Sequence, residues 1–182
     1  MNRVIAFLRA VMPTGPNRIP KMSYLAEVLS DAGYGNVRTY IQSGNIILDT
    51  DMDIEETAGD IHEIIKDKIG ADLKVIVKNV LEIEAALKEH PYKDVEDGSC
   101  VFFVFTNEKA EIRKLEELQS RDWGEQKLYV GNECIHLWLP WDAKPKRLNN
   151  TYLEKQLGNL STMRNRNVVE KVYEMAIEME ER

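Results

Sequence analysis

Apolar positions along the chain follow two rhythms, short runs or alternations of strand length and three-to-four spacings of helical type. "VIAFL" (Val4 to Leu8) is a continuous apolar run of strand length. After a loop bearing Pro and Gly, Leu25, Val28, Leu29 and Ala32 fall at helical spacing and Gly33 marks the stop. "NVRTYI" then alternates, with Val37, Thr39 and Ile41 on one side and Arg38, Tyr40 and Gln42 on the other. "NIILDT" is expected to pair back across Ser43-Gly44, because Gly tolerates the positive φ of a tight hairpin. Asp53 with Glu56 reads as a capping box for a helix carrying Ile54, Ala58, Ile61 and Ile65 as far as Gly70. "LKVIVK" closes the unit as a strand.

A helix capped by Asn79, with Glu82 at its third position, follows, and "HPYKDVEDGS" reads as a polar boundary broken by Pro91 and Gly98. The order then recurs. "CVFFVFT" is an apolar strand, Ile112, Leu115 and Leu118 give a helix, and "QKLYV" and "ECIHLWL" flank a hairpin at Gly131-Asn132. Tyr152, Leu153 and Leu157 before Gly158 predict another helix and "LSTMR" a short strand. Val169, Val172, Tyr173 and Ala176 predict a final helix, whose Met175 and Met179 are expected to pack. Two successive β-α-β-β-α-β orders predict an α+β chain of two ferredoxin-like units, a pseudo-duplication with a connecting helix and an extra C-terminal helix. The expected division is residues 1–78 for the first unit, 79–98 for the connecting helix and linker, and 99–182 for the second unit.

The 182 residues are 43% hydrophobic and 30% charged, a balance that favours a packed core over disorder. "MNRVIAFLRAVMPTG" reads as a first strand and not a signal peptide, because Arg9 interrupts the apolar run. No segment reaches the ~20 apolar residues that span a bilayer, so a cytoplasmic chain without a membrane partner is expected. The net charge of −7 disfavours broad adhesion to nucleic acid. Between Lys144 and Val169, however, Lys144, Lys146, Arg147, Lys155, Arg164 and Arg166 face Glu154 alone, which is either a solvated face or an anion-binding one.

Candidate chemistry is thin. Cys100 and Cys134 read as small apolar residues on strands, and His62, His90 and His136 as structural or solvent-facing, since none has a metal-helix pairing. "VMPTGPNR" lacks the ending of a phosphate-binding Walker loop and "SGN" lacks a nucleophile elbow. Neither a metal nor a cofactor is implied. What remains is a set of amides and guanidinium groups suited to phosphate, carboxylate or base edges. Arg9 ends the first strand and Asn17 follows it; Gln42, Ser43 and Asn45 sit at the hairpin. Arg147 and Asn149 precede one helix, and Arg164 and Asn165 precede the last, where Asn167 with Glu170 looks like the cap. Each has a plainer role as well: turn residue, helix cap or salt-bridge partner.

"IAFLRA", "RTYIQSGNII" and the tail "RLNNTYLEKQLG…STMRNRNVV" together resemble the DUF1697 family of uncharacterised bacterial proteins, with "RTYIQSGN" the most specific block. The resemblance implies a duplication of ferredoxin-like units and brings no reaction, substrate or cofactor. Ala10 stands where the family usually has Gly, and Pro13-Thr14-Gly15 replaces its paired glycines. Arg164 to Val168 replaces Arg-Asn-Trp-Asn-Thr. The function expected is the binding of a small anionic ligand, a nucleotide or phosphorylated metabolite, in a polar cleft between the two units. The alternatives are a nucleic-acid-binding module, to which Phe102, Phe103 and Phe105 would lend their rings, and a metal-independent enzyme.

Overall fold

The computed structural model describes residues 1–178 of the chain, among which there are six α-helices and two four-stranded antiparallel sheets. Met179 lies outside the described residues. Contacts divide the chain into two compact units, Met1–Leu81 together with the chain from Val172 onward, and Glu82–Lys171.

The first unit runs β1 (Asn2–Arg9), α1 (Met22–Asp31), β2 (Gly35–Tyr40), β3 (Asn45–Thr50), α2 (Ile54–Lys68) and β4 (Lys74–Asn79), with the sheet ordered β2-β3-β1-β4. Alternate residues of β1, Val4, Ala6 and Leu8, share one core with Leu25 and Leu29 of α1 and Ile61 and Ile65 of α2, so both helices cover one face. Ile5 and Phe7, on the other face, are fully buried too, which is why the central strand reads as an unbroken apolar run. The capping box at Asp53 is present in full, with Glu56 N–H donating to the Asp53 carboxylate at 2.8 Å. Helix α1 has no side-chain cap at Lys21 and is held by its buried leucines.

The second unit holds most of α3 (Val80–Glu89), then β5 (Val101–Thr106), α4 (Ile112–Ser120), β6 (Lys127–Val130), β7 (Ile135–Trp138), α5 (Asn150–Leu157), β8 (Ser161–Asn165) and the start of α6 (Arg166–Glu178). Its sheet is ordered β6-β7-β5-β8, so each sheet has its first strand between its third and fourth, with the second at the edge. Val104, Ile135 and Leu137 pack with Leu118, Leu153 and Leu157 from α4 and α5. Phe103 and Phe105 are buried and offer no exposed stacking surface, while Phe102 is partly buried. None of the described helices is long and apolar enough to cross a membrane.

Two local expectations need correction. The hairpin at Gly131-Asn132 is a four-residue loop, 131–134, closed by Val130 opposite Ile135. It is wider than expected because the Glu89 carboxylate accepts the N–H groups of Asn132 (2.8 Å) and Glu133 (3.1 Å). The residue that caps α6 is Asn165, whose Oδ1 accepts the Val168 N–H at 3.0 Å. Asn167 lies against Gly98 instead, where an added Cβ would come within 2.1 Å of its Oδ1.

Candidate functional site

The five candidates of the first unit collect at one end of its sheet. Arg9, the last residue of β1, stands opposite Lys74, the first of β4. Asn45 opens β3, paired with Phe7 on one side and Tyr40 on the other. The β2–β3 loop, 41–44, is tied into the same end twice: Leu8 N–H donates to Gly44 O at 2.8 Å, and Gln42 Nε2 to Ile19 O at 2.6 Å. Asn45 is fully buried, and its Nδ2 holds the loop by donating to Tyr40 O (2.9 Å) and Ser43 Oγ (3.0 Å). Asn17 works through its backbone, its carbonyl accepting from Met12 N–H at 3.0 Å. Gln42 and Asn45 therefore shape this end, while Arg9 is half-buried and Lys74 and Ser43 are exposed.

The backbone here is strained. Ala10 has φ 64° and Ile41 has φ 47°, the left-handed region that non-glycine residues occupy at a cost of about 1–2 kcal/mol. Ala10 stands where the family resemblance places Gly. Replacing Ala10 by Gly is expected to raise stability by about 1 kcal/mol, read as a higher urea midpoint at unchanged slope.

In the second unit the candidates split. Asn149 caps α5, its Oδ1 accepting the Tyr152 N–H at 2.9 Å. The Arg147 side chain is exposed, and its backbone N–H donates to Gln126 Oε1 at 2.9 Å. Arg164 turns inward, with Nη1 donating to Thr162 Oγ1 (2.7 Å) and Met163 O (3.1 Å). Arg166 clamps the 92–96 loop through the carbonyls of Tyr92, Val95 and Glu96. The basic stretch thus divides into exposed Lys144, Lys146, Arg147 and Lys155 and two inward arginines that hold structure.

Sequence reasoning passed over a buried polar group on the sheet face turned away from α4 and α5. His136 of β7, fully buried and opposite Phe103, lies 3.1 Å through Nε2 from Glu89 Oε1 at the end of α3. Cys134 Sγ is 3.6 Å from the same Nε2, and the His90 ring stacks edge-on against Phe103. Burial lowers the basicity of both imidazoles; His90, which also faces His136, Arg166 and Lys93, falls to about 4. Burial alone would raise Glu89, but the two loop N–H donors and His136 more than offset it and hold the carboxyl below its ordinary value. The signal was the Cys-x-His spacing at the entry to a strand, with Cys134 closing the loop and His136 two residues on in β7.

Comparison with known proteins agrees with this architecture. A structure described as the conserved bacterial protein SP0830 from Streptococcus pneumoniae is similar over 97% of this chain and 98% of that one, with a TM-score of 0.75 and 21% identity. At that identity the likeness concerns the fold. No curated protein matches the chain significantly. The model of a protein family of unknown function, DUF1697, matches residues 1–136, most of the sequence and the whole of the first sheet. The chain is a member of the DUF1697 family.

Proposed function

We propose that the chain is a binding protein for a small anionic ligand, a nucleotide or phosphorylated metabolite, received at the end of the first sheet. The observation that carries this reading is the placement of Arg9 beside Lys74 on neighbouring strands, which gathers two positive charges in a chain of net charge −7. Like charges on facing strand positions repel, so an anion between them is stabilised by both. The strained turns at Ala10 and Ile41 frame the same end, and backbone strain of this kind concentrates at binding loops. The guanidinium fork would take two oxygens, the ammonium a third, and Ser43 supplies an exposed hydroxyl.

The equal strand orders of the two sheets further support reading both units as copies of one ferredoxin-like arrangement. Cys100 and Cys134 are both buried and not joined in a disulfide, which fits the bacterial cytoplasm as the place of work.

A thermal-shift screen over pyrophosphate, sugar phosphates and nucleotides tests the binding. At least one ligand is expected to raise the melting temperature at millimolar concentration. Its affinity should fall about tenfold or more in Arg9→Ala and in Lys74→Ala, the scale of one charge-assisted contact. A stabilisation unchanged in both variants would contradict the site.

A further inference from the structure

We infer that the second unit holds a site for a zinc-type divalent cation, bound by the Cys134 thiolate, the His136 imidazole and the Glu89 carboxylate. Among the described residues, these are the group of three whose ligand atoms all lie within 4.8 Å of one another. A tetrahedral ion with bonds of about 2.3 Å to sulfur and about 2.0 Å to nitrogen separates those two ligands by roughly 3.5 Å. Cys134 Sγ and His136 Nε2 stand 3.6 Å apart. The Glu89 oxygen is 3.1 Å from that nitrogen, so an ion entering there takes the place of the proton the two now share.

The surroundings suit a metal better than a plain hydrogen-bonded pair. Gly131 lets the loop backbone close against the pair: a Cβ there would sit 2.2 Å from Glu89 Oε1 and 2.9 Å from His136 Nε2, so no larger residue fits beside them. The neighbouring His90 is 5% exposed, its ring centre lies 6.0 Å from that of His136, and its Nδ1 is a buried nitrogen with no hydrogen-bond partner. His90 stands outside the three residues whose ligand atoms lie within 4.8 Å of one another, so the fourth position of the ion is left to water, with this imidazole nearby. Thiolate, imidazole and carboxylate together select zinc over magnesium or calcium, which prefer oxygen alone. The two loop N–H groups on Glu89 orient the carboxylate, as outer contacts do at metal sites. On binding, the thiol of Cys134 loses its proton to solvent, and the neutral His136 carries its one proton on Nδ1, its Nε2 proton having been exchanged through solvent to leave that nitrogen for the ion.

Cobalt(II) titration of the chelator-treated full chain tests this. One equivalent should give the ligand-field spectrum of a tetrahedral ion with a thiolate-to-cobalt charge-transfer band, and zinc should displace it. Cys134→Ser should abolish the charge-transfer band and Glu89→Gln should weaken binding about 10–100-fold, whereas Cys100→Ser should change neither. Binding without the charge-transfer band, a band that disappears with Cys100, or no binding at equimolar metal overturns the proposal. Because the band in the unmutated chain reports sulfur ligation directly, the test stands even if a cluster variant fails to fold.

Discussion

Replacing Gly44 by Ala is expected to cost about 3 kcal/mol of stability. Two effects combine at this position. Its φ of 84° puts any other residue in the left-handed region, at about 1–2 kcal/mol. The new methyl would also stand 2.6 Å from Leu8 Cβ, a side chain locked in the core, and relief requires the hairpin to move, at a further cost of about 1–3 kcal/mol. Gly15 separates the two terms, because its φ is 82° with nothing near the missing Cβ. Gly15→Ala should therefore lose only the conformational part. Equal urea midpoints for the two variants would show that the Leu8 contact does not matter. Since Gly44 O anchors the loop to Leu8 N–H, Gly44→Ala should also weaken ligand binding at this end of the sheet.

Removing Asp49 should cost about as much. Arg3 grips this buried carboxylate with both arms, Nε at 2.8 Å and Nη2 at 3.0 Å, and Asn36 adds a third donor at 2.7 Å. Arg3 Nη1 donates to Ala176 O, within the same unit, at 2.9 Å. Asp49→Ala leaves a guanidinium buried without its counter-ion, a loss of about 3 kcal/mol. Replacing both partners by apolar residues should be milder, because no charge is then stranded. Acid probes the same pair. Burial works to raise the Asp49 carboxyl, but the bonds from Arg3 and Asn36 and the Arg3 charge overcome it, leaving the group below its ordinary value. A depressed carboxyl stabilises the fold fully above its unfolded value, about pH 4, and that contribution fades as the pH drops through the folded value. The urea midpoints of the wild-type chain and Asp49→Asn should therefore converge on acidification from neutral pH. Parallel curves would disconnect Asp49 from acid stability.

Much of this was legible from local chemistry. The capping box at Asp53, the helix stops at Gly33, Gly70 and Gly158 and the cap at Asn149 depend on neighbours a few residues away, and sequence spacing carries that information. The role of "QSGN" was half legible: Gly44 announced a turn, but the burial of Asn45 and the reach of Gln42 to Ile19 O depend on how the sheet end closes. Contacts between distant segments stayed hidden. Glu89 meets His136 across 47 positions, which creates the polar cluster, and the same carboxylate holds the widened hairpin through the Asn132 and Glu133 N–H groups. Arg164 and Arg166 looked like part of a basic surface, yet they satisfy carbonyl and hydroxyl oxygens within their own unit. Charge along a sequence does not say which way a side chain turns.

The binding reading is tested most directly by amide NMR of the isotopically labelled chain during titration with pyrophosphate. Resonances of residues 9–18, 41–45 and 74 should shift together and saturably, and the response should vanish in Arg9→Ala. Shifts confined to the start of α5, or none at millimolar ligand, would contradict it.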